Sequence, residues 1–106
     1  MSRDAVPISE ILGRLLKKLG LERRAREARI ALEWERLVGE TIARHTRPVG
    51  VRGKTLLVNV DSSVWLAELD RYFKDAMLEK ISSGLDGIRI DEIRFRIGEI
   101  GDNAQV

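Results

Sequence analysis

Reactive side chains are scarce in this sequence and cationic ones are plentiful. A single histidine, His45, stands where a helical pattern gives way to a strand pattern, and cysteine is absent. Without cysteine, disulfides and thiolate metal sites are excluded, and a reducing compartment such as the cytoplasm fits. No second histidine stands at a metal-ligand spacing, no nucleophile-elbow pattern occurs, and the acids are spread through helical patterns as solvated faces. His45 is open to three readings: a structural imidazole, a phosphate contact or a catalytic base. The residues as a set read as those of a non-enzyme that needs no cofactor and no metal.

What the side chains can do is meet an anion. Residues 1–54 carry 13 Lys/Arg against 7 Asp/Glu, whereas residues 55–106 carry 6 against 10. One half can therefore face a polyanion while the other stays away from it. The candidate nucleic-acid contacts are Arg14, Lys17, Lys18, Arg23, Arg24, Arg26 and Arg29 on a helical surface, extended by Arg44, Arg47, Arg52 and Lys54. Such contacts go to phosphate, so binding would be weakly sequence-specific and sensitive to salt. Gly50-Val51-Arg52-Gly53 matches the G-x-x-G clamp of KH domains in form, but it falls beside a hairpin rather than between two helices, and a plain turn is the better reading. Of the two tryptophans, Trp34 reads as core. Trp65 reads either as core or as an anchor for a protein partner, since tryptophan is enriched at interface hot spots.

The elements that must position these residues follow from periodicity. Ile8, Ile11, Leu12, Leu15, Leu16 and Leu19 share one helical face, and Gly20 is placed to end that helix. A second helix is expected from about Leu21 to Val38 with two apolar stripes. Leu21, Ala25, Ala28 and Leu32 form one, expected to receive the first helix; Ile30, Trp34, Leu37 and Val38 form the other, expected to meet a sheet. Strands are expected over 47–52 and 55–61 around a Gly53-Lys54 turn. A third helix capped by Ser62 or Ser63 follows, with Trp65, Leu66, Leu69, Tyr72, Phe73, Ala76, Met77 and Ile81 on its apolar face. The last strand is expected over 88–97, with a bulge or bend at Asp91-Glu92. The order is α-α-β-β-α-β, an α+β domain with a three-stranded sheet and helices packed on one face. The single domain is placed at 8–98, with a flexible N-terminus at 1–7 and a short disordered tail at 99–106. The opening residues do not read as a signal peptide, and no apolar run suits a membrane span.

Several of these residues recur together in a known family. Trp34 with Leu37-Val38-Gly39, then Ile42-Ala43, His45-Thr46 and Pro48, lead through Gly53 and the alternating Leu56, Val58 and Val60 to Ser62-Ser63, Trp65 and Glu68-Leu69, and Ile93 to Gly98 closes the set. In this order and spacing they resemble the bacterial DciA-like domain over about residues 8–98. The resemblance implies a KH-like fold and a place at the replication fork. DciA-like proteins associate with the replicative DnaB-type helicase, help to load it and bind DNA; they are adaptors rather than enzymes. Where members carry a long basic or disordered extension, this sequence has the short segment GDNAQV. If such extensions supply DNA affinity in the family, this protein is expected to use its folded surface or to bind DNA weakly.

Three functions compete on the sequence: a helicase-loading adaptor, a KH-like RNA-binding module with the ribosome as one place of action, and a domain whose arginines bind only an acidic protein. With 5% aromatic residues, few side chains are left to stack on bases, which disfavours the RNA reading. The apolar stripe of the first helix must bury against something, and a second copy of the chain is one candidate, through a homodimer.

Overall fold

A computed structural model describes residues 7–101. The first element, α1 (Ile8–Leu32), is one helix of 25 residues. Gly20 does not end it. A glycine that terminates a helix usually takes a positive φ, and the glycines with that conformation are Gly39, Gly53, Gly87 and Gly101. A glycine within a helix costs only about 1 kcal/mol relative to alanine, which the flanking leucines and arginines tolerate. The bend comes instead at Glu33. Its φ of −103 and ψ of 11 depart from helical values, so the chain kinks there and continues as α2 (Trp34–Val38). Gly39, at φ 92, breaks the path before the short α3 (Glu40–Ala43).

The two apolar stripes have opposite fates. Ile30, Trp34, Leu37 and Val38 are buried as expected. The Leu21, Ala25, Ala28 and Leu32 stripe is exposed, with Leu32 at 86%, and no first helix folds back onto it. The expected helical hairpin is thus corrected to a single rod, because the chain does not reverse at Gly20. Its N-terminal half projects from the domain with Ile8, Ile11, Leu12, Leu15, Leu16 and Leu19 all in solvent.

The sheet is mixed. β1 (Thr46–Arg52) pairs antiparallel with β2 (Thr55–Val60), and β2 pairs parallel with β3 (Glu92–Ile97). Leu56, Val58 and Val60 are buried against the helices, as alternation along a strand requires. The third strand starts at Glu92 rather than at Ile88. The amides of Asp91 and Glu92 both donate to the Lys54 carbonyl, and pairing begins only there. Ile88 and Ile90 instead pack on the core as a lead-in.

The third helical stretch begins at Ser62, whose hydroxyl accepts from the Trp65 amide at 3.2 Å. It runs as α4 (Ser63–Glu68), a π-helical turn (Leu69–Phe73) and α5 (Lys74–Gly84). The wide turn holds an extra residue and shifts the register. Leu69, Met77 and Ile81 are buried, while Tyr72, Phe73 and Ala76, expected on the same face, are turned outward. Alpha-helix and core meet most closely at Gly84, where a Cβ would stand 2.6 Å from the Leu37 side chain.

Near the N-terminal end of β1 a buried relay ties the two layers. The Trp34 indole donates to the Thr46 hydroxyl at 2.9 Å, and that hydroxyl donates to the Ile42 carbonyl at 2.7 Å. The flexible segment expected at 1–7 and the tail expected at 99–106 fall largely outside the described residues. Glu99 and Ile100, expected in that tail, are pinned: their carbonyls accept from the Asn59 amide and the Arg47 guanidinium at 2.9 Å each.

Replacing Trp34 by Phe removes the donor to Thr46 and part of the buried ring volume. The expected outcome in urea unfolding is a loss of about 2–4 kcal/mol with an unchanged m-value, from one buried hydrogen bond and the cavity left behind.

Candidate nucleic-acid and partner surfaces

The eleven basic candidates do not form one patch. At 100° per residue, Arg14, Lys17, Lys18, Arg24 and Arg29 fall within an arc of about 140° on one side of α1, with Arg23 and Arg26 on the other. Arg14 is paired with Glu10 at 3.2 Å and Arg44 with Glu40 at 3.3 Å, both exposed pairs of a kind worth little. Lys17, Lys18 and Arg24 stand in solvent with no ion pair among the described residues. Arg23 turns toward the sheet and lies 4.0 Å from Glu27. Arg52 and Lys54 flank the hairpin turn, both exposed, and Arg47 is half-buried under its bond to Ile100.

Arg29 has a structural task. It binds the Glu33 carboxylate at 3.3 Å and the Asp86 carbonyl at 2.9 Å. Arg36, which is not among the candidate contacts, binds the same carboxylate and the Gly84 carbonyl at the end of α5. Glu33 thus gathers two cations that hold the α1–α2 kink onto the carbonyls that follow α5. The Arg36 guanidinium first, and Arg29 second, keep the Glu33 carboxyl below its ordinary value.

His45 proves structural in its contacts. Its ring stacks on Trp65 with centroids 4.3 Å apart and planes 18° from parallel, and its Nδ1 lies 3.0 Å from an Asp61 carboxylate oxygen. The Asp61 amide donates to the His45 carbonyl, so the pair closes the open end of the β1–β2 ladder. Trp65 is neither core nor fully exposed: it is half-buried. It lines an open cleft of about 640 Å³ with Val38, Ile42, Val64 and Phe73, rimmed by Glu40 and Glu68. Val64 is 71% exposed and Phe73 41%, a concentration of apolar surface at the mouth of the cleft. The clamp reading fails on placement. Gly50 lies within β1 and Gly53 in its turn, while the junction of α4 and α5 is Leu-Asp-Arg-Tyr-Phe without a glycine. Among the described residues no cluster of three metal-ligating side chains is present, and no helix is long and apolar enough to cross a membrane.

The profile of the Dna[CI] antecedent family, DciA, matches residues 7–95. The chain belongs to the DciA family. Among curated proteins it is similar to a UPF0232 protein of Rhodococcus jostii, 31% identical over 87 residues that make up 81% of this chain and 46% of the relative. A UPF0232 protein of Mycobacterium leprae is 32% identical over 83 residues, 78% of this chain and 43% of the relative. One from Mycobacterium tuberculosis is 31% identical over 83 residues, covering 78% and 44%. The chain spans less than half the length of these relatives. The DciA match takes in the kink, the Trp65 cleft and most of the sheet.

Because the folded-state pKa of Glu33 is lowered, its contribution to stability is complete above its ordinary value of 4.5 and fades as pH falls through the depressed value. Glu33→Gln should therefore lower the thermal midpoint near neutrality, and the gap to the parent should close under acid. A gap that stays constant down to strongly acidic pH would contradict the ion-pair role.

Proposed function

We propose that this DciA-family chain is a non-enzymatic cytoplasmic adaptor of DNA replication that binds the replicative DnaB-type helicase and DNA and assists helicase loading. Family membership over residues 7–95 carries the reading. The surfaces support it in two ways. The apolar cleft around Trp65 is open, is uncovered by any other described element and has an acidic rim, which suits docking of a protein partner. Arg52 and Lys54, exposed at the hairpin, do not line that cleft, so DNA and protein can be held together. The KH-like character of the domain enters here as architecture alone, without its phosphate clamp.

The exposed stripe of α1 extends the reading. Ile8, Leu12, Leu15 and Leu19 follow the alternating three- and four-residue spacing of a coiled-coil seam, with Ile11 and Leu16 beside it. A second copy presenting the same stripe is the occupant that completes it, giving a homodimer through α1 with the two domains at its ends.

Two measurements test these statements. On a sizing column with light scattering, the chain should shift to the mass of a complex when mixed with the replicative helicase of its own organism. Trp65→Ala, checked as folded by circular dichroism, should weaken that association at least roughly tenfold, as loss of a central aromatic anchor does. An undiminished affinity would remove Trp65 from the interface. For the homodimer, sedimentation equilibrium should report a mass twice that of one chain, and Leu12→Glu with Leu16→Glu should return it to the monomer. A parent that sediments as a monomer at high concentration excludes pairing through α1.

A further inference from the structure

Apart from the segment 98–101, which packs on Asn59 and Arg47 at one end, no described element covers the side of the sheet turned away from the helices, and strand register gathers arginines there from both halves of the sequence. Thr55, Leu57 and Asn59 of β2 point to this side, since Leu56, Val58 and Val60 point to the core. Paired residues share a face. On β1, Arg52, Gly50 and Arg47 stand opposite those three; on β3, Glu92, Arg94 and Arg96 do. Four arginines thus surround Leu57 and Asn59. Arg23 reaches the same surface from α1: it lines one shallow depression with Arg52, Leu57 and Arg96, and Arg94 lines the adjoining one with Arg52, Leu57 and Arg96. The two depressions share three residues and form one continuous floor.

The acids on this floor are already engaged. Glu27 accepts the Val51 amide at 2.8 Å, which caps the outer edge of β1, and Glu92 lies 3.4 Å from the Thr55 hydroxyl and 3.8 Å from Arg94. Arg96 is held in place by its Nε, which donates to the Asn59 carbonyl oxygen at 2.8 Å, while the Asn59 amide nitrogen is fixed by the Glu99 carbonyl. The terminal nitrogens of Arg96 have no partner among the described residues, and Arg52 has none at all among them. On the far side of the domain, the stretch from Ser63 to Gly84 carries Glu68, Asp70, Asp75 and Glu79 together with Arg71, Lys74 and Lys80, a nearly balanced set, so the excess of cations belongs to the sheet face.

We infer that this open sheet face is a phosphate-binding platform for the backbone of single-stranded DNA, with Arg52, Arg94 and Arg96 as its main contacts and Arg23 and Arg47 at its margin. Residues two apart on a strand are roughly 6–7 Å from each other, a step suited to successive phosphates of an extended strand. Three strands make a face roughly 10 Å across, which fits one nucleic-acid strand better than a duplex. Leu57 offers apolar floor for sugars, and no aromatic ring points outward on this face, so base identity goes unread. The inference rests on the DNA-binding half of the proposed function and places it on the sheet rather than along α1.

The test is fluorescence anisotropy with a short dye-labelled thymidine oligonucleotide at low and moderate salt. It uses the parent chain, Arg94→Gln with Arg96→Gln, and Lys17→Gln with Lys18→Gln, each verified by its melting curve. The sheet variant should bind roughly tenfold more weakly, with a salt slope smaller by about 1.4, the value for two contacts to a single strand. The α1 variant should change affinity by less than about threefold, since its lysines stand apart from the platform. A sheet variant that binds like the parent, an α1 variant weakened as much, or tighter binding to a duplex of the same length overturns the inference while leaving DNA binding intact. A parent that binds no DNA at low salt overturns the inference and the DNA-binding reading together, with helicase association judged on its own measurement.

Discussion

One buried polar relay holds the layers of this domain in register. Trp34 is 5% exposed, and an indole that deep needs a partner for its N–H. It finds the Thr46 hydroxyl, which in turn donates to the Ile42 carbonyl at the end of α3, beside the His45 amide. A side chain of the kink, the first residue of the sheet and the last turn before it are thereby fixed to one another. The position of β1 then fixes β2 by antiparallel pairing, and β2 fixes β3 by parallel pairing. His45 and Asp61 lock the same end of the ladder from the neighbouring positions, and the stacked Trp65 carries that order into α4. Helix-to-sheet contact, cleft and basic face all descend from the same corner.

Local pattern and long-range arrangement were unequally legible in the sequence. Strand alternation at Leu56, Val58 and Val60, the Ser62 cap and the buried stripe from Ile30 to Val38 could all be read, because each depends on residues a few positions apart. Gly20 misled, since a glycine signals a helix end only where the chain turns left-handed, and nothing local decides whether it must. The π turn was invisible: its one-residue shift at 69–73 arises from packing onto the core and inverts the expected roles of Tyr72 and Phe73. Arg94 and Arg96 are absent from the candidate contacts for a different reason. They lie in the acidic half of the sequence, and only the parallel pairing of β3 with β2 brings them beside Arg52 from the basic half. A net charge taken along the chain cannot see a face assembled across it.

The two exposed surfaces differ in what they ask of a ligand. The Trp65 cleft is apolar with acidic borders, so it gains from burial and favours a partner with complementary charge at the rim. The sheet face is polar and cationic, so a polyanion held there would gain from counterion release, which falls as salt rises. Ionic strength therefore weakens one mode of binding far more than the other.

The unsupported reach of α1 also changes how the molecule moves through solvent. Its principal extents are 64, 31 and 22 Å, and its radius of gyration is 17.6 Å, against about 13 Å for a compact domain of this length. Such a rod-bearing shape carries excess friction, so a single 12.0 kDa chain would diffuse slowly and elute early, like a heavier sphere. Elution volume by itself would overstate the number of copies in any assembly, and a mass measured independently of shape is what separates an elongated monomer from a pair.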